Sequence, residues 1–193
     1  MSDNYFNKYT DMPQIPYKIL LYLMEHNENL FKLLKYNTID ALSKPNLTIE
    51  EKKSLLYKDE GIETDYSLFL KPLVTDEMLE ECSQLRFYKS VMIPMNNLNT
   101  VLTYEFDIII GSKMTLVYDE QDIPCSRTDL IEKELLSTLN GINLFGVGYF
   151  QFNKELSNNC SQRLSISNSK TFYGSALCLC CNYMDVEEDN CGF

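Results

Sequence analysis

The chain has 193 residues, 45% of them hydrophobic, and a formal net charge of −11 from 17 basic and 28 acidic side chains. That length and apolar content suit one domain with its own core and exclude wholesale disorder. The acidity argues against a phosphate-gripping surface, which needs clustered Lys and Arg. It suits instead a wall past which DNA slides, or simply solubility. No apolar stretch reaches the roughly 20 residues of a membrane span. The polar start Met1-Ser2-Asp3-Asn4 lacks the pattern of a secretory signal, so the expected site of synthesis and folding is the cytoplasm.

In chain order, residues 1–15 read as an extended N-terminal arm, and residues 16–84 as a helical region packed on the core. Pro16 is suited to the first turn of a helix. Leu20, Leu23, Met24, Phe31 and Leu34 then follow helical spacing to about Tyr36, as one helix or as two broken near Asn27 and Asn29. Asn37 to Leu47 reads as a loop. Thr48-Ile49-Glu50-Glu51 has the form of a capping box and predicts a short helix to about Tyr57. Asp65 to Val74, with Pro72 inside it, suits an edge strand or irregular packing segment. Thr75 is placed to cap a brief helix through Cys82.

Residues 85–184 read as an α+β core. A strand is expected from Leu85 to Val91, and a turn-rich loop with Asn96 and Asn97 follows. The clearest strand is Leu102 to Ile110. There Leu102, Tyr104, Phe106, Ile108 and Ile110 alternate with Val101, Thr103, Glu105, Asp107 and Ile109, which predicts one face on a core and a mostly polar face in solvent. Met114 to Tyr118 continues that strand or pairs beside it. Ser126 caps a helix from Arg127 to Leu139, closed by Asn140-Gly141. Strands over Phe145–Phe152, Arg163–Ser167 and Thr171–Tyr183 follow, and residues 185–193 form an acidic tail. The fold class is α+β: a mostly antiparallel sheet packed by one main helix, with an α-helical N-terminal extension.

Chemistry is sparse. Cys178-Leu179-Cys180-Cys181 lacks metal-ligand spacing: Cys178 and Cys180 share a strand face and Cys181 points the other way, so reduced, buried thiols are expected. The Gly146-Val147-Gly148 fragment is too short for a phosphate loop and suits close backbone packing. Glu105, Asp107 and Lys113 are similar to the acidic-plus-lysine set of metal-dependent nucleases, although an acidic chain offers such pairs by default. His26, the sole histidine, lies on a polar helix surface with no nucleophile motif around it. Asn46-Leu47-Thr48 matches a glycosylation pattern that, without secretion, marks only a polar loop. No catalytic residue, cofactor or metal is therefore expected. Thirteen tyrosines and ten phenylalanines exceed what a small core needs, and tyrosine favours interfaces.

The strand Leu102–Ile110, the helix Arg127–Leu136, the segment from Leu139-Asn140-Gly141 to Phe145–Phe152, and Phe172-Tyr173-Gly174 together resemble the small neck and tail-completion proteins of tailed bacteriophages, particularly tail terminators. The resemblance covers roughly residues 85–184, with a looser echo from 17 to 57. It implies a ring of identical subunits, a hexamer or dodecamer, in the neck or tail of the virion. Such a ring contacts neighbouring neck, portal or tail tube proteins and passes DNA as cargo, with no membrane involved. On that reading Glu105 and Asp107 are candidate channel lining. Glu132, Lys133, Asn96 and Asn97, with the arm and the tail, are candidate neighbour contacts. A ring or adaptor beneath the portal of a short-tailed phage and a non-viral protein-binding adaptor are the alternatives, with a metal-dependent nuclease behind them.

Overall fold

The computed structural model describes residues 9–72, 82–95, 99–144, 147–152, 161–163 and 172–184. The brief helix expected from Thr75, the loop residues Asn96 and Asn97, Gly146, Cys160 and Cys191, most of the Arg163–Ser167 strand and the acidic tail lie outside or mostly outside these residues.

A 3-10 turn over Tyr9–Gln14 leads into α1 (Ile15–His26), which carries Pro16 in its first turn. The chain breaks at Asn27, whose backbone is extended (φ −136°, ψ 95°), and restarts as α2 (Glu28–Lys35). Asn27 is the reason for two helices rather than one. Its side chain accepts from the Leu30 amide at 2.8 Å, so it caps the second helix while ending the first. A 3-10 turn at Ala41–Ser43 interrupts the expected loop. The capping box forms in full: Thr48 Oγ1 accepts from the Glu51 amide, and Glu51 Oε2 accepts from the Thr48 amide at 2.8 Å. The helix it starts, α3 (Ile49–Ser54), stops one turn short of Tyr57 because Ser67 and Leu68 donate their amides to the Leu55 carbonyl, drawing the chain towards the sheet.

The main sheet has strand order β1-β2-β3-β9-β7-β6, with β8 also on β9. Its members are β1 (Leu68–Phe69), β2 (Ser83–Pro94), β3 (Asn99–Gly111), β6 (Asn143–Leu144), β7 (Gly148–Gln151), β8 (Ser161–Arg163) and β9 (Phe172–Met184). Only the β1–β2 pair is parallel. Met114 to Tyr118 does not extend the sheet. Instead β4 (Leu116–Tyr118) and β5 (Pro124–Ser126) form a separate hairpin that delivers Ser126 as the cap of α4 (Arg127–Leu139).

Of the strand expected over Phe145–Phe152, the described residues form strand at Gly148–Gln151 (β7); β6 lies ahead of the expected range, at Asn143–Leu144, and residues 145–146 lie outside the described residues. Gly148 opens β7. It sits at φ +111°, and a Cβ there would lie 2.2 Å from the Asn182 carbonyl oxygen, so the backbones of β7 and β9 touch where only glycine fits.

One sheet face is the core. Leu85 and Phe87, Leu102 to Ile110 in alternation, and Leu177, Leu179 and Cys181 lie against α1, α2 and α4. From α4 the buried set is Leu130, Ile131, Leu135 and Leu139. Two buried cations tie the helices together. Arg127, 0% exposed, donates to the carbonyls of Met114 (2.8 Å), Leu33 (2.7 Å), Tyr36 (3.1 Å) and Thr38 (2.7 Å), closing the C-terminal end of α2. Lys52 donates to the Met24 carbonyl at 2.8 Å and pairs with Glu28 at 2.7 Å. That joins α1, α2 and α3 at one point.

Candidate functional site

The second face of the sheet is where sequence and structure part. The polar side of β3 is not solvated: Val101, Thr103, Asp107 and Ile109 are all buried, and Glu105 is half-buried. The reason lies in its neighbours. The β2–β3 register sets Arg86 opposite Asp107 and Tyr88 opposite Glu105, while the β3–β9 register sets Cys178 opposite Glu105 and Cys180 opposite Thr103. Directly opposed residues share a face, so polar groups from three strands gather in one layer.

Their partners explain how charge is tolerated there. Arg86, 1% exposed, stacks 3.9 Å above the Phe69 ring. It bonds Gln84 Oε1 at 3.1 Å and meets Glu63 Oε2 at 3.2 Å. Glu63 is also held by Lys71 at 2.7 Å, and this hydrogen bond keeps its carboxyl below the ordinary range. Tyr88 donates to Asp107 Oδ2 at 2.9 Å, whereas Asp107 Oδ1 is buried with no hydrogen-bond partner among the described residues. Burial pushes the Asp107 carboxyl up, against the opposing pull of the Tyr88 bond and the Arg86 charge. Burial, then the Asp107 charge, also raises Glu105. These two carboxylates are a desolvated pair, not an open acidic wall.

The chemistry this layer can do is limited. Among the described residues no three His, Cys, Asp or Glu side chains are grouped to hold a metal ion. Lys113 sits in the exposed turn beyond the end of β3, away from the buried Asp107. Cys178 and Cys180 face the polar layer and Cys181 the core, as the alternation requires, and burial pushes the Cys181 thiol up to about 12. A thiol so raised is a poor nucleophile.

A shallow hollow of about 420 Å³ lies between the α1–α2 junction and α4, lined by Tyr22, His26, Asn27, Glu134 and Thr138 among others. His26 packs against Tyr22 with the rings tilted at 45° and their centroids 4.3 Å apart. Asn27 Nδ2 is committed to the Glu134 carbonyl (2.9 Å) and Thr138 Oγ1 (2.6 Å). The hollow is therefore lined by groups whose bonds hold the helices together.

The remaining candidates lie on the surface. Lys133 is exposed and 3.7 Å from Glu134, whereas Glu132 is half-buried and accepts from Ser161 Oγ at 3.3 Å, which places it beside β8. Sequence reasoning missed the distal half of β2. Val91, Met92, Ile93 and Met95 are 47%, 48%, 42% and 62% exposed. An apolar run on a strand reads as core, but among the described residues no strand lies along the outer side of β2 beyond Arg86.

A protein-family model matches residues 27–179, from the cap of α2 into β9. The chain belongs to the YomW family. The family name is phage-derived and attaches no specific function, so the YomW match marks a phage-associated protein. No curated protein and no solved structure matches the chain. The family match takes in α2, α3, α4 and the sheet as far as Leu179 in β9, and leaves α1 outside it.

Proposed function

We propose that this YomW-family chain is a structural protein of a tailed phage, a tail terminator or tail-completion protein that forms a homo-oligomeric ring in the neck or tail. The ring joins head to tail and passes DNA, and its work is binding rather than catalysis. It is assembled in the host cytoplasm and carried in the virion.

The observation that carries this reading is the phage-derived family spanning most of the chain on an α+β fold. The exposed apolar segment of β2 supports it, because apolar patches of this kind mark surfaces that associate. The net charge of −11 supports a bore that repels DNA and lets it slide. The burial of Asp107 takes it off any water-facing bore wall, so on this reading exposed acidic side chains elsewhere carry that role.

The test is negative-stain microscopy with light scattering on the full chain, alone and with the products of neighbouring genes. Rings with a central hole support the reading. A monomer under all these conditions overturns it.

A further inference from the structure

We infer that copies of this chain join edge to edge, the distal half of β2 in one copy pairing with β8 of the next, with Lys89 meeting Glu132 across the seam. The inference rests on the ring reading above and supplies its interface.

The two edges are unlike, and among the described residues both are open. Along its inner side β2 pairs with β3 as far as Pro94, but its outer side is covered by β1 only at Leu85 and Arg86. Beyond them the outer backbone has no strand partner among the described residues. Both faces are bare as well: Val91, Met92, Ile93 and Met95 are exposed, whereas their β3 neighbours Val101, Leu102 and Thr103 are buried. An exposed apolar edge of this kind is a template for another strand. Across the sheet, β8 uses one side for β9 and leaves all three of its residues exposed. Tyr149 on β7, Phe152 just past it and Tyr173 on β9 are exposed as well.

Charge selects a second copy as the occupant. At −11 per chain, two copies repel over most of their surfaces. Residues 82–104, which include β2, contain Arg86 and Lys89 and no acidic residue, and residues 156–184, which include β8, contain Arg163 and Lys170 and none either. The open edges are therefore where two copies approach at least cost. Lys89 and Glu132 form no ion pair among the described residues. Lys89 lies on the helix side of the sheet, opposite Tyr104, and Glu132 projects from α4 on that same side, over β8.

Direction agrees. Each of the pairs β2–β3, β3–β9 and β9–β8 is antiparallel, so β8 runs opposite to β2. Through these registers β8 lies level with Leu85–Phe87, so a neighbour in the same orientation, displaced along β2 towards Pro94 past the stretch that β1 covers, offers β8 antiparallel, with Glu132 and Lys89 on one side. Because the two edges differ, the contact is heterologous and propagates until it closes.

The experiment compares the full chain with Ile93→Lys, Lys89→Glu, Glu132→Lys and the Lys89→Glu/Glu132→Lys pair, by light scattering and negative stain, with circular dichroism to check the fold. Ile93→Lys is expected to give a folded monomer. Met95→Lys, at the more exposed position, carries the same test if Ile93→Lys loses its fold. Each single charge reversal is expected to raise the concentration for half-assembly about tenfold, and the double reversal to restore it. Wild-type rings that survive Ile93→Lys, Met95→Lys and Lys89→Glu overturn the edge pairing while the ring reading stands. A closed dimer of wild type overturns it in favour of β2 meeting β2. A wild type that never assembles overturns both. Charge reversal without rescue overturns the Lys89–Glu132 contact.

Discussion

The two faces of the sheet are both buried, by opposite means. The helix face follows the familiar route, with Leu102, Phe106, Ile108, Leu177 and Leu179 against Leu135 and Leu139. The other face buries Gln84, Arg86, Thr103 and Asp107, and balances their desolvation with hydrogen bonds, a cation over an aromatic ring and one incompletely satisfied carboxylate. The difference teaches that burial alone does not tell what holds a layer together. The helix face should fail when volume is removed, the polar face when ionisation changes.

Removing Arg127 should have the largest effect, since it anchors the helices of the apolar side by four carbonyls. Arg127→Met leaves those acceptors buried without a donor, at roughly 1–3 kcal/mol each before relaxation, so a loss of about 4 kcal/mol or more is expected in urea unfolding. Burial pulls the Arg127 guanidinium down to about 10, so it stays charged at neutral pH and the clamp should be insensitive to pH there. Leu135→Ala should cost about 2–5 kcal/mol through the cavity it leaves, read from the same unfolding curves. Asn27→Ala removes the α2 cap and two bonds to α4 and should cost about 2 kcal/mol, again from urea midpoints.

Asp107→Asn should have the smallest effect at neutral pH, and of opposite sign. Both Asp107 and Glu105 are raised in the folded state. Between the ordinary carboxylate range, about 4, and those raised values, the folded protein holds more protons than the unfolded chain. Stability therefore falls as pH rises through that window and stays lowered above it. An amide at 107 keeps an acceptor for Tyr88 and removes its share of the loss, so the variant should match or exceed wild type at neutral pH. Urea midpoints from about pH 4 to pH 7 read both slopes. An Asp107→Asn variant that is destabilised at every pH would mean the polar face fails by packing after all, and the contrast between the faces would dissolve.

Much of the fold was legible because its signals are local. Thr48 with Glu51, Ser126 before Arg127, and the alternation from Leu102 to Ile110 each specify an element within a few residues. The break at Asn27 was half legible, since an asparagine between two apolar stripes fits a cap as well as a surface position. What sequence did not reveal depends on distant partners. A polar strand face predicts solvent until Gln84, Arg86 and Tyr88 are known to lie beside it. The start of β7 at Gly148 depends on the Asn182 carbonyl pressing against it. The open edge of β2 depends on how short β1 is. Of the expected site residues, Glu132 and Lys133 lie on α4, with Lys133 exposed, whereas the solvent-facing position expected of Asp107 was mistaken.

The place of β9 also sets an order of events. It is the hub of the sheet, pairing β3, β7 and β8, yet it is the last of the described strands to leave the ribosome. Residue 105 of β3 finds its partner at 178, and no helix can stand in for that seam while it is absent. Long-range pairing of this kind is paid for in loop entropy before it is rewarded, and folds slowly. Until β9 arrives, a nascent chain carries β3 with one bare flank beside the apolar end of β2. The interval of synthesis between them is when this protein is most prone to join the wrong neighbour, and the few acidic residues near that end leave little to hold such neighbours off.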